Sequence, residues 1–560
     1  MIHKKLEKKH NKKELLPGAC LSLAIGFLLF LYAPVDLYCS NISEFWFGFG
    51  TLFSVALIMF CVSAVIMTAV YAVLWLIHPV LYRIGLAGGL LILLCTYVQG
   101  NFLVSNLPPL DGTTIDWEHY TVLRTEDIIL WGIAAVVEVF LVVLLKNGLF
   151  EKTVFYISGA LTLMLLITAV SVTISSGALK EKVHYQVGAD EEFTASREGN
   201  FVILILDTLD SREFSRLLDE NADYYDTFRD FTYFENMMGA YSCTERSVPY
   251  ILTGEWYEND GDFDAYIKQS YEESPLFTEL KNRDYRMEYY ESELYMDDEL
   301  AADFSNIHRV DFKVSSYTKF IKQELKLIGF RYAPFDLKKK CIFKKAGFNE
   351  LAVTDQPAEE TSYGGADHEF AGRVEQEGIT LQDGKKSFKF IHLDGAHVPF
   401  IYDEDLNIIN EWEGTYTQSV KASVKAAREY IEALKESGSY DNTVLVIMAD
   451  HGYNGTVGET GDAAWMRQCP LFLVKGINEH HDTMQISEAP VSFEDLQEAY
   501  SRLLDGQQSD GIFDWKEGDV RERRFLSYSF WDEDHMVEYR QTGHAQDMDT
   551  MVPTGKEYNR

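Results

Sequence analysis

At 560 residues the chain is too long for one domain, and 47% hydrophobic with 14% aromatic residues supplies apolar side chain for both a packed core and membrane spans. A formal net charge of −36 excludes nucleic acid as a partner class and keeps the polar part from lying flat on an anionic membrane, while it suits an outer domain that gathers divalent cations. Of seven cysteines, Cys20, Cys39, Cys61 and Cys95 fall in or beside apolar N-terminal stretches; Cys243, Cys341 and Cys469 are too widely spaced for a disulfide framework.

The chain opens on a basic tail (Lys4, Lys5, Lys8, Lys9, Lys12 and Lys13) that precedes an apolar run from about Leu15 to Tyr38. No small-residue cleavage site follows it, so the run reads as a first transmembrane helix rather than a signal peptide. Further spans are predicted from about Phe47 to Ile77, Val80 to Leu103, Asp127 to Leu145 and Thr153 to Ser175, each long enough to cross roughly 30 Å of hydrocarbon. Arg83, Lys146 and Lys152 fall on the same side as the lysine tail, and loops holding Asp36, Glu44, Asp111, Asp116 and Glu118 alternate with them. By the positive-inside rule the N-terminus is cytoplasmic and, after five spans, everything beyond residue 180 is extracellular. The 99–126 connection, with Trp117 and the turn at residues 110–113, reads as a solvated outer loop.

Residues 1–178 are thus expected to form a transmembrane domain of five helices, 179–197 a charged linker and 198–560 an α/β domain with a mostly parallel sheet. Phe201 to Leu206 is an unbroken apolar, β-branched run, the pattern of a strand buried on both faces, and it delivers Asp207 to its C-terminal end. Ser211 and Arg212 start a helix, and the polar turn Ser242-Cys243-Thr244 then leads to Ser247-Val248-Pro249. Residues 348–372 read as a polar, turn-rich excursion. Ser387 to Leu393 is a strand followed by a loop with His397, His392 lying within the strand; Gln418 to Lys435 is a helix. The strand Thr443 to Ala449 ends in Asp450-His451-Gly452, Pro470 to Lys475 is a strand, Glu494 to Leu504 a helix, and the aromatic run from Phe525 is expected to cover a sheet edge.

Two strand-end carboxylates, an imidazole and a hydroxyl make a mixed oxygen and nitrogen metal site in which the hydroxyl is both ligand and nucleophile. The residues concerned are Asp207, Asp450, His451 and Thr244. An oxygen-rich set with one imidazole favours Mn²⁺ or Mg²⁺ by ligand hardness. His392 reads equally as a core histidine and as a substrate-side group, and Arg467 as a phosphate contact.

The acidic residue after the first strand, Thr244 in Thr244-Glu245-Arg246-Ser247-Val248-Pro249 and the late Asp450-His451-Gly452 together resemble the alkaline phosphatase/sulfatase superfamily. Within it the pattern is similar to the membrane-embedded phosphoethanolamine transferases and lipoteichoic acid synthases. That resemblance implies one divalent ion, with Zn²⁺ added to the possible metals, and casts His397, which stands before a Val-Pro pair, as a phosphate ligand or leaving-group acid. It also implies transfer of glycerophosphate or phosphoethanolamine from a phospholipid donor to a surface glycan or glycolipid, through phospho-Thr244, at the cell membrane. The alternatives are a sulfatase-like phosphodiesterase or hydrolase, and a catalytically silent membrane protein that binds surface polymer. Three departures stand out: the first ligand is Asp207 where the head-group transferases carry Glu, the midway F-H-G and N-R signatures of lipoteichoic acid synthases are not recognisable in residues 285–304, and no histidine follows between Gly452 and Met466. The C-x-P-x-R pattern of formylglycine sulfatases is absent around Cys243.

Overall fold

The computed structural model describes residues 12–560 except 105–106, 109–114, 116, 147, 221–222, 292–297, 344–345, 355–362, 364, 411–412, 456–465 and 530–531. Lys4, Lys5, Lys8 and Lys9, the turn at 110–113 and most of the polar part of the 348–372 excursion therefore lie outside the described residues. The chain divides into two compact units. One takes the residues up to His184 together with Val310–Gln356; the other takes Tyr185–Arg309 and Pro357–Arg560.

In the first unit, apolar runs too long for strands satisfy their backbone groups internally as helices, which is what a hydrocarbon environment demands. They are α1 (Leu16–Cys39), α2 (Phe49–Ile77), α3 (Pro79–Phe102), α4 (Trp117–Leu144) and α5 (Leu149–Ser175), of 24 to 29 residues each. In its most apolar window α1 is 67% buried and forms the centre, whereas the windows of α4 and α5 are 11% buried and keep their apolar side chains outward. α4 begins about ten residues before the expected start at Asp127. That residue lies inside the helix, where its carboxylate accepts the Phe335 backbone N–H at 3.0 Å.

The expected single domain over 198–560 thus gives up Val310–Gln356 to the helical unit. The helix Tyr317–Tyr332 ties this stretch down: Arg331 pairs with Asp36 at 2.8 Å, Gln99 donates to the Ala333 carbonyl at 2.6 Å, and Phe320 packs edge-on against Phe47 at 4.7 Å between ring centres.

The second unit is built on a seven-stranded sheet whose strands are β1 (Asn200–Leu206), β2 (Thr232–Phe234), β3 (Arg286–Tyr290), β4 (Ser387–Leu393), β5 (Thr443–Met448), β6 (Phe472–Lys475) and β7 (Gln485–Ser487). Their spatial order is β7-β2-β6-β5-β1-β4-β3, and only β6 runs antiparallel. The central strands β1, β4 and β5 are buried at every residue because helices cover both faces, which is why β1 and β5 read as continuous rather than alternating apolar runs. The helix Tyr416–Ser437 on one face is fixed at its start by a capping box from Thr415 and Gln418. The C-terminal aromatic run forms, with Asp532–Gln541 and Met551–Asn559, a separate three-stranded meander. It bridges at Leu526 to Tyr241, just before the Thr244 turn.

The docking of Val310–Gln356 on the helices rests on a close approach at Gly100, where an added Cβ would stand 2.1 Å from a Tyr332 ring carbon. Gly100→Ala is therefore expected to cost about 1–3 kcal/mol through overpacking. It should lower the melting temperature in detergent and speed proteolysis around Lys339 and Lys340. An unchanged melt with unchanged cleavage would contradict this packing.

Candidate active site

β1 and β5 run in parallel with Ile205 opposite Met448, so Asp207 and Asp450 emerge two residues later at neighbouring strand ends, in the crevice where α/β sheets bind ligands. Thr208 joins the two carboxylates. At φ 60° its N–H donates to Asp450 Oδ1 at 3.1 Å while its hydroxyl donates to Asp207 Oδ1 at 2.6 Å. A β-branched residue in the left-handed region costs on the order of 1–2 kcal/mol, and two hydrogen bonds to charged groups offset it. The loop after β4 closes in from the other side, with Gly395 at φ 61° because a Cβ there would stand 2.2 Å from the Asp207 nitrogen.

Thr244 is the first residue of α6 (Thr244–Thr253), entered from an extended Cys243. Its Oγ1 lies 3.4 Å from His451 Nε2. One turn along, Ser247 donates to the Asp450 carbonyl at 2.6 Å, so the T-x-x-S spacing presses α6 against the Asp-His-Gly loop. From behind, Ser242 exchanges hydrogen bonds with the Tyr528 backbone at 2.7 and 2.9 Å, and Arg246 stacks 4.0 Å over the Tyr528 ring. Thr244 and the helix N-terminus are thereby held from three sides, with the positive end of α6 facing any anion bound at Thr244.

His451 Nδ1 bonds the Gly452 carbonyl at 2.8 Å and therefore carries the proton, which leaves the Nε2 lone pair facing the carboxylates. Nε2 stands 3.5 Å from Asp450 Oδ2 and 3.9 Å from Asp207 Oδ1. Asp450 Oδ2 is buried with no hydrogen-bond partner. A lone pair and an orphaned carboxylate oxygen turned toward each other fit a cation between them, and hard oxygens with one imidazole suit Mn²⁺, Mg²⁺ or Zn²⁺.

The structure adds His392 to this group: Asp207, His392 and Asp450 each offer a ligand atom within 4.8 Å of the others. Its Nε2 is 3.8 Å from Asp207 Oδ2, and its Nδ1 is bonded to Glu291 at the end of β3. Arg467, at φ 56°, lies beside the Thr244 turn and donates to the Ser242 carbonyl at 3.3 Å. His397 is exposed, with Nδ1 on the Val398 carbonyl at 2.6 Å.

Residues 199–506 match the model of the family described as Sulfatase. The chain belongs to the sulfatase family. This is a family of the alkaline phosphatase superfamily, and the match spans more than half of the chain. A curated relative, the lipoteichoic acid synthase-like protein YvgJ of Bacillus subtilis (strain 168), is 33% identical over 103 residues, which is 17% of this chain and 16% of that relative. Among solved structures the chain aligns with Ps i-CgsB in complex with k-i-k-neocarrahexaose at a TM-score of 0.38 and 14% identity, covering 62% of this chain and 82% of that one. It aligns with the lipoteichoic acid synthase LtaP from Listeria monocytogenes at a TM-score of 0.33 and 12% identity, covering 65% and 86%.

In this sulfatase-family site, burial and the neighbouring Asp450 charge push Asp207 well above the usual carboxylate range. Asp450 is buried too, yet the imidazoles of His451 and His392 and the hydrogen bonds from Thr244 and Thr208 bring it down to about 2. Burial lowers His451, which keeps it neutral and available as a ligand. For His392 burial is outweighed by Glu291, which holds the ring as a cation up to about 10. Cys243 is pushed up by burial and stays a thiol.

Thr208 and Glu291 escaped notice in the sequence. Thr208 follows directly on Asp207, but only the positive φ reveals its bridging role. The strand leading to Glu291, Arg286–Tyr290, carries charges and lacks the apolar signature, because Glu288 is buried against Lys389 of β4 at 2.8 Å.

Since a cation must displace the proton that Asp207, with its raised pKa, holds more firmly than an ordinary carboxylate, metal affinity should climb with pH and binding should release protons. Calorimetry in buffers of different ionisation enthalpy measures both. A flat affinity without proton release would contradict the site.

Proposed function

We propose that this chain transfers a phospho-head group, glycerophosphate or phosphoethanolamine, from a phospholipid to a hydroxyl of a surface glycan or glycolipid. The observation that carries the reading is Thr244 at the head of α6, its hydroxyl 3.4 Å from His451 Nε2, beside two buried carboxylates that call for a cation. The likeness to a lipoteichoic acid synthase-like protein supports a lipid donor. So do five apolar helices, where a single one already anchors a protein irreversibly.

Asp207, Thr244, Asp450 and His451 would hold one divalent ion, Mn²⁺ before Zn²⁺ or Mg²⁺. When bound, it lowers the pKa of the Thr244 hydroxyl and draws charge from the phosphoryl oxygens. Thr244 Oγ forms a bond to phosphorus as the bond from phosphorus to the diacylglycerol oxygen breaks. The threonine proton passes to water, and His397 protonates the departing diacylglycerol. The acceptor hydroxyl then attacks phospho-Thr244, giving its proton to the now neutral His397, and Thr244 regains a proton from water. Arg467 and the cationic His392 orient the phosphoryl oxygens, a task suited to fixed positive charge. The lysine tail and the placement of Arg83, Lys146 and Lys152 support a cytoplasmic N-terminus and an α/β unit outside.

Full-length protein incubated with labelled phosphatidylglycerol and phosphatidylethanolamine, acceptor withheld, should release diacylglycerol and carry an adduct on the Thr244 peptide whose mass identifies the donor. Thr244→Ala should lose at least roughly 10³-fold in turnover and all of the adduct while still binding the ion. Rapid cleavage of soluble phosphate or sulfate esters with no lipid-derived adduct would replace this reading by a hydrolase.

A further inference from the structure

Residues 310–356 contain ten lysines and arginines against five aspartates and glutamates, a net of +5 inside a chain whose total is −36. This same stretch is the one that joins the apolar helices. Apart from the N-terminal lysine tail, the rest of the chain taken together is strongly anionic and is repelled by an anionic leaflet; this segment reverses the sign.

Its helix Tyr317–Tyr332 buries Phe320, Leu327 and Ile328. Lys319, Lys322 and Lys326, spaced by three and four residues, align along the opposite side. Lys319 and Lys322 are exposed and Lys326 half-exposed, and among the described residues none of the three has an ion-pair partner. Two other cations of the segment are engaged: Arg331 with Asp36, and Lys338 with the Phe330 and Arg331 carbonyls at 2.8 and 2.6 Å. Between the free lysines, Leu325 is 45% exposed, and at the head of the helix Tyr317 is 57% exposed. Apolar side chains set among lysines are what an interfacial helix presents to headgroups and upper acyl carbons, and a polymer in water gives them no counterpart.

The place on the helical unit agrees. The C-terminal end of this helix is tied to Asp36 near the end of α1 and to Gln99 and Gly100 near the end of α3, the ends of spans, where lipid headgroups lie. We propose that the Lys319–Lys322–Lys326 face binds the phosphates of anionic phospholipids in the adjoining leaflet, enriching them around this protein. The proposal needs only that the five helices span a bilayer, and it stands whether the active site transfers or hydrolyses.

Full-length protein in phosphatidylcholine nanodiscs doped with photoactivatable phosphatidylglycerol, or with photoactivatable phosphatidylcholine at the same fraction, tests it. Cross-links to the peptide spanning 317–331 should be several-fold more frequent from phosphatidylglycerol at 0.1 M salt and approach equality at 0.5 M. With each lysine near an anionic surface worth roughly fivefold, Lys319→Gln/Lys322→Gln/Lys326→Gln should lose at least roughly tenfold of the preference, and the triple arginine variant should keep it. Should the glutamine variant fail to fold, the salt series on the native protein and the arginine variant still decide. Equal labelling by the two lipids, a preference untouched by salt, or displacement of the label by soluble polyglycerophosphate would overturn the proposal, the last by assigning the face to a polymer.

Discussion

Two carboxylates set side by side in a buried crevice repel each other unless positive charge lies between them, and that constraint governs the α/β unit. Asp207 and Asp450 are neighbours because β1 and β5 pair in parallel and in register, so neither can move without unzipping the centre of the sheet. Thr208 holds both carboxylates at the cost of a left-handed backbone, and His451 turns a lone pair toward them. A protonated Asp207 relieves the repulsion at low pH; a divalent cation relieves it better and at every pH where the carboxylate is charged.

The surroundings serve to bring a hydroxyl to that charge. Ser247 clamps α6 to the backbone of Asp450, Ser242 and Arg246 fasten the same turn to the meander, and Gly395 lets the loop after β4 pass against Asp207. Each contact fixes position rather than supplying much stability, which is the requirement when a nucleophile must sit within hydrogen-bond reach of its activating groups. Glu291 has a different part: bonded to His392 Nδ1, it fixes that ring beside Asp207 and favours its charged form.

Much of this was legible in the sequence for plain physical reasons. Strands buried on both faces are largely apolar, so β1 and β5 announced themselves, and with them Asp207 and Asp450. Five long apolar runs could only be helices. What escaped depends on contacts distant in the chain. β3 hides because its buried Glu288 is neutralised by Lys389, about a hundred residues away. The start of α4 was misplaced because Asp127 looks like a boundary until the Phe335 N–H, 208 residues on, occupies it. The association of Val310–Gln356 with the helices escaped because it rests on contacts to Asp36 and Gln99, more than two hundred residues away.

The central claim is that one cation completes the pair of carboxylates and that Thr244 shares it. A crystal of the full-length protein grown with Mn²⁺ and measured at the manganese absorption edge tests this directly. A single anomalous peak roughly 2.0–2.3 Å from oxygens of Asp207, Asp450 and Thr244 and from His451 Nε2 is the expected result. A peak seated on His392 and Glu291 with Thr244 out of reach, or no peak at saturating Mn²⁺, Mg²⁺ and Zn²⁺, would contradict it.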